Sequence, residues 1–289
     1  MSPIRSILSI SFALLFTSSL LAQGPYPTSD QVAKFSSTKL LVVVDGRDVA
    51  FDALLRDAVS KHWTLTEFDF VDGETFSKEK ANPDYSFLVT LQVQFDKDPQ
   101  ENTYNFLYLL LSHPTGDVQA MPVLAQVPIS GSTFTSSNHL HKAPMLIKFI
   151  QNYASDVVAS KGSKRYRKLS QLNKGIKELK GKTLYLRKNQ ITPQVEVDKD
   201  ILKLYRNNHN IVSDDELLSI ISKAEKDAVV FHIVAPDDEA TSGKCFKMII
   251  EPATGKGYFY KTHNISDKQP PVILKRDFRN IRWYPFHFL

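Results

Sequence analysis

The sequence predicts an α/β (α+β) protein built from two tandem βαβαββ units with a connecting helical segment. Short apolar runs bounded by turn residues alternate with apolar stripes of period 3.6, the pattern of strands and amphipathic helices. That order of segments runs through the chain twice, and the intervals between matching residues nearly coincide in the two copies. Of 289 residues, 42% are hydrophobic and 23% charged, a balance that excludes wholesale disorder. No apolar run reaches the roughly 20 residues a spanning helix needs, so an integral membrane protein is not expected.

Residues 1–22 read as a signal peptide. Arg5 gives a short positive region, Ile7 to Leu21 is apolar but for Ser and Thr, and Ala22 offers a small residue for cleavage before Gln23. The mature chain is therefore expected to be periplasmic or secreted. No Cys near the cleavage site is available for lipid attachment. The single cysteine, Cys245, lies in an apolar pattern with Phe246, Met248, Ile249 and Ile250 and reads as a small buried hydrophobe, so no internal disulfide can form.

The first unit with its closing helix spans 36–160. Leu40 to Val44 is a buried strand ended by Asp45-Gly46, and Phe51, Leu54, Leu55, Ala58 and Val59 repeat at helical spacing. Leu65 to Val71 alternates as a second strand. After a polar segment broken by Asn82-Pro83, strands are expected at Tyr85 to Phe95, Tyr104 to Leu111 and Val118 to Ile129, with His113-Pro114-Thr115-Gly116-Asp117 as a turn. Ala143 to Ser160 carries a strong stripe (Leu146, Phe149, Ile150, Tyr153, Val157) able to close the first sheet.

The second unit, 182–265, restarts the order. Leu184 to Leu186 is strand-like, Val195 to Tyr205 has a helical stripe, and Asn210 to Val212 is a short strand. Ser213 with Glu216 forms a capping box ahead of Leu217, Leu218, Ile220 and Ile221. Val229 to Ala235 and Cys245 to Ile250 follow, then a turn at Glu251-Pro252-Ala253-Thr254-Gly255 and a return through Tyr258 to Lys261. Lys39 to Asp84 and Lys182 to Asp227 both span 45 positions, while Asp84 to Gly116 is 32 and Asp227 to Gly255 is 28, a difference one loop absorbs.

Between the units, 161–181 reads as a basic amphipathic connector. Leu169, Leu172, Ile176 and Leu179 form a narrow helical stripe. Lys161 to Lys188 holds eleven basic residues against Glu178 alone, a local charge of +10, so the rest of the mature chain is about −6. Lys164, Arg165, Arg167 and Lys168 are the densest part and the first candidates for surface binding. Behind an export signal, such a patch points to an anionic cell-wall or membrane surface rather than to nucleic acid. The segment 266–289 ends in Trp283, Tyr284, Phe286 and Phe288, aromatic candidates for core packing or for docking an envelope protein.

The opening apolar strand and helix, then "PDYSFLVTLQV", then a strand pair around "YLLLSHPTGDV", resemble a small periplasmic domain. It is the domain found in the curli secretion protein CsgG, in the lipoprotein activator of penicillin-binding proteins and at the amino terminus of TolB. Asp84, Tyr85, Thr115 and Gly116 match its Asp-Tyr strand opening and Thr-Gly turn; in the second unit Asp227, Thr254 and Gly255 match, and Ala228 replaces the Tyr. The resemblance implies envelope binding or assembly without catalysis, and no pore-forming hairpin is identifiable.

Hydrolase, nucleotide and zinc signatures are missing. Asp45, Arg47, Asp48 and Asp52 form the densest acidic group at a strand end, but a turn and a helix cap account for them. The second unit has Lys188-Asn189-Gln190 at that place. Two imidazoles in His139-Leu140-His141 are a common loop coincidence, so neither metal nor other cofactor is expected. The expectation is a non-catalytic exported envelope protein with a binding or assembly role; the alternative is a secreted hydrolase with an unrecognised active site.

Overall fold

The computed structural model describes residues 24–46, 48–95, 98, 100–131, 141–164, 168–192, 204–205, 207–236 and 240–282. The first unit runs α1 (Ser29–Phe35), β1 (Lys39–Val43), α2 (Val49–His62), β2 (Phe68–Val71), α3 (Gly73–Glu79), β3 (Tyr85–Gln94), β4 (Thr103–Leu111), β5 (Val123–Ser130) and α4 (Ala143–Ala159). Helical crossovers make β2, β1 and β3 parallel, and direct turns make β3, β4 and β5 antiparallel, in the order β2-β1-β3-β4-β5.

The second unit begins with a 3-10 segment (Leu169–Leu179). It continues as β6 (Thr183–Arg187), β7 (His209–Val212), α5 (Asp214–Lys223), β8 (Ala228–Val234), β9 (Lys244–Ile250), β10 (Gly257–Asn264) and α6 (Lys275–Asn280). Its sheet order, β7-β6-β8-β9-β10, repeats the first with the same parallel and antiparallel pairs.

Local bonds fix the correspondence. The Lys39 N–H donates to the Asp84 carbonyl at 2.9 Å, and the Thr183 N–H donates to that of Asp227 at 2.9 Å. The partner of Lys39 is thus Thr183, one position beyond the Lys182 expected from spacing. Thr115 Oγ1 accepts the Asp117 N–H and Thr254 Oγ1 the Lys256 N–H, both at 3.2 Å, and Gly116 and Gly255 follow at φ +63° and +74°. The two Thr-Gly turns are therefore equivalent.

Each closing helix follows the last strand of its sheet. In the first unit α4 packs with α2 over Leu40, Val42, Leu88, Leu107 and Leu109. Val230, Met248 and Ile250 of the second sheet join that same core, so α4 serves both sheets. The second sheet also meets the far face of the first, where Phe246 stacks edge-on with Tyr104 and Phe106 at 5.3 and 5.4 Å. At the edge strand β5, Pro128 has no amide hydrogen and its carbonyl accepts from His232 Nε2 at 2.7 Å. The outer face of the second sheet, including Leu184, Leu186, Phe231 and Ile249, is covered by Ile273, Phe278 and Ile281.

Several expectations change. The polar segment after β2 forms α3, capped by Asp72 on the Thr75 N–H at 2.8 Å. The stretch expected as a strand from Val118 starts as a 3-10 turn, Val118–Ala120, and becomes strand only at Val123. The connector is 3-10 rather than α-helical. Gly175 and Asn173 both disfavour an α-helix interior, and here Gly175 closes on Tyr258 while Asn173 Oδ1 accepts the Tyr260 N–H at 2.8 Å. The tail contains α6, which sequence patterning had not indicated. The capping box at Ser213 forms as expected, with the Ser213 N–H donating to Glu216 Oε2 at 2.8 Å. Of the stripe from Val195 to Tyr205 only Leu204 and Tyr205 are described, and both are buried. The signal peptide and Trp283, Tyr284, Phe286 and Phe288 lie outside the described residues. No helix among the described residues is long and apolar enough to cross a membrane.

Candidate binding surface

The connector lies along β10, the edge strand of the second sheet, which would otherwise present free backbone groups. Leu169 and Leu179 are buried, and Leu172 and Ile176 are half-buried against the strand. With that side anchored, Lys161, Lys164, Lys168, Lys174, Lys177 and Lys180 stand exposed, and none is ion-paired with another described residue. The connector's one acid, Glu178, is engaged by Lys256 Nζ at 2.6 Å. Arg165 and Arg167 lie outside the described residues.

The basic run is narrower in space than in sequence. Lys182 turns inward, where Glu251 accepts from it at 2.7 Å and Asp227 at 3.4 Å. Burial is the largest single influence and opposes the Lys182 charge, but the hydrogen bonds and charges of Glu251 and Asp227 together outweigh it and raise the ammonium above its ordinary value. Glu251 also accepts from Thr254 and Tyr258 at 2.8 Å each; burial works against its charge, and these bonds still hold the carboxyl below the usual range. Arg187 is likewise taken by Asp214 at 3.1 Å.

Beside the exposed lysines runs an open groove of about 490 Å³ between connector and β10. Ser170, Asn173, Lys261, Thr262 and Asn280 bring polar groups and a cation to it, and Ile176, Phe259 and Tyr260 give it an apolar wall. The groove was not legible in the sequence, because it forms only where residues about 90 positions apart in the chain come together.

The other candidates resolve structurally. Gly46 turns at φ +76° and donates to Asp52 Oδ2 at 2.9 Å, and Asp48 caps α2 on the Phe51 N–H at 2.9 Å. Burial raises the Asp52 carboxyl, although the Gly46 bond opposes it. Arg47 and His139 lie outside the described residues, and His141 is exposed. No group of three metal-ligating side chains forms among the described residues. Cys245 is buried, and burial pushes its thiol up to about 12, which removes it as a nucleophile.

Sequence reasoning missed two buried lysines, Lys142 and Lys247. Both had a signal: Lys142 sits four residues before Leu146 on the α4 stripe, and Lys247 alternates with Cys245 and Ile249 on a buried strand face. Comparison with family models, curated proteins and solved structures finds no match to this chain.

Proposed function

We propose that the protein is a non-catalytic binding or assembly protein of the cell envelope that holds an anionic polymer along its connector. The observation that carries this reading is the set of exposed lysines between Lys161 and Lys180, none ion-paired with another described residue, beside a groove that combines polar groups with an apolar wall. A groove of that shape suits a strand bearing both charges and hydroxyls better than a flat lipid surface. The signal-peptide reading of 1–22 and the resemblance to small periplasmic domains support a partner in the envelope, for which an anionic wall polymer is the proposed class.

The test is binding of the mature chain to a soluble polymer of sugar or polyol phosphates, followed by fluorescence anisotropy at low and physiological salt. Changing Lys168, Lys174 and Lys177 together to Gln is expected to weaken binding at least tenfold and to flatten its salt dependence. Equal binding by the variant overturns the assignment. Preference for vesicles of anionic lipid over the polymer moves the partner to the membrane surface and also rejects the polymer reading.

A further inference from the structure

The inner face of the second sheet holds a cation that no described group pairs. Lys142, the residue before α4, is 2% exposed, and its Nζ has no hydrogen-bond partner among the described residues. Buried polar groups are nearly always bonded, so an orphaned buried amine asks for an explanation, a bound ion being one.

Two charged groups face it. Arg187 ends β6 and Asp214 opens α5 directly after β7, so both stand at the carboxyl ends of adjacent parallel strands. Ligands in open α/β sheets gather at that end. Arg187 Nη1 donates to Asp214 Oδ1 at 3.1 Å, and the Gln190 amide oxygen, with the amide turned, accepts from Arg187 Nε at 3.3 Å and Nη2 at 2.5 Å. The Arg187 side chain is 10% exposed and that of Asp214 45%, so the pair forms the solvent side of the cluster and Lys142 its floor. Burial, helped by the Arg187 charge and opposed by Asp214, draws the Lys142 amine down to about 7. The cluster thus holds two basic groups and one half-exposed acid already committed to Arg187.

We propose that Lys142 and Arg187 form a binding site for one small oxyanion, a carboxylate or a tetrahedral anion, which enters beside Asp214 and gives the amine the partner it lacks. Asp214 acts as a placeholder on Arg187, and the arriving group bridges guanidinium and ammonium. Arg recognises such oxygens through its planar fork and Lys as a point charge. The site lies away from the connector groove and stands or falls independently of the polymer-binding reading.

The test uses the full mature chain carrying Lys161, Lys164, Lys168, Lys174, Lys177 and Lys180 changed to Gln, so that the exposed connector lysines contribute nothing. Sulfate and acetate are titrated separately by calorimetry at pH 7, which distinguishes a tetrahedral from a planar oxyanion. Saturable binding of one anion per chain is expected, lost at least tenfold in Lys142→Met and tightened severalfold in Asp214→Asn, which frees Arg187. Asp214 is half-exposed, so its replacement keeps the test decisive even if the Lys142 variant fails to fold. Absence of saturable binding by either anion overturns the proposal, as does binding unchanged in both variants.

Discussion

Lys142 and Lys247 are buried on opposite faces of the same sheet, and only one of them has a counterion among the described residues. Lys247 points outward from β9, is 1% exposed and is paired with the equally buried Asp277 of α6. Asp277 Oδ2 also accepts the Leu274 N–H at 2.9 Å, so a single carboxylate fastens both the start of α6 and the strand beneath it. Lys142 lies in the inner layer against α4 with Arg187 as a neighbouring like charge. The contrast separates two kinds of buried cation: one fixes a covering segment, and the other has no hydrogen-bond partner among the described residues.

The largest expected effect is a difference of sign between these two lysines. Replacing Lys247 with Met leaves the buried Asp277 without its counterion and is expected to cost about 3–5 kcal/mol. Replacing Lys142 with Met removes an unpaired buried amine and is expected to stabilise by about 1–4 kcal/mol at neutral pH. Denaturant unfolding measures both. Destabilisation of similar size in the two variants would erase the distinction.

The two Thr-Gly turns sharpen the comparison at the level of the units. A Cβ on Gly255 would lie 2.4 Å from the Lys148 carbonyl carbon, because this turn docks on α4, where Asn152 Nδ2 donates to the Thr254 carbonyl at 2.5 Å. A Cβ on Gly116 would meet only side-chain carbons of Lys80 and Ala81, the nearest at 3.4 Å. Both glycines have positive φ, so Ala at either costs about 1–2 kcal/mol in backbone strain. Gly255→Ala adds roughly 1–3 kcal/mol of overpacking. Equal losses of stability in the two variants would mean that the second turn does not depend on α4.

A smaller effect follows from protons. The folded value for Lys142, about 7, lies below the ordinary 10.5, so between them the unfolded chain binds the extra proton. Stability therefore rises with pH across that window, by at most about 1.4 kcal/mol per pH unit from this group. Burial also lowers Lys247, against the pull of Asp277, which adds in the same direction. Unfolding measured at pH 7, 8 and 9 is expected to show a shallower rise in Lys142→Met than in the natural chain. An unchanged rise would assign it elsewhere.

Most of the fold was legible in the sequence, for reasons visible in particular elements. Strands such as Ala228–Val234 are apolar on both faces because helices or a second sheet cover them, and continuous apolar runs are easily found. The α4 stripe was clear because a helix serving two sheets carries many apolar residues. Helix α3 buries only Phe76, too little to leave a periodic signal, and α6 is a six-residue helix burying only Asp277 and Phe278. The repeat was placed one residue early in the second unit because matching charged residues, Lys39 and Lys182, stood in for matching backbone positions. The lysine row was visible as a charge run, whereas the groove, the inward turn of Lys182 and the two buried lysines depend on contacts between distant segments.

The central claim is that the connector lysines, exposed and ion-paired with no other described residue, form a binding surface that ion-paired lysines such as Lys61 and Lys78 do not. Changing Lys168, Lys174 and Lys177 to Gln should leave stability within about 0.5 kcal/mol, since exposed charges away from special contacts contribute little. The direct measurement is lysine acetylation followed by mass spectrometry, with and without a soluble sugar-phosphate polymer. Lys61 and Lys78, exposed but ion-paired on α2 and α3 of the first unit, serve as internal controls. The account predicts protection by the polymer at Lys168, Lys174, Lys177 and Lys180 and none at Lys61 or Lys78. Equal protection at all of these positions, or none at the connector, would contradict it.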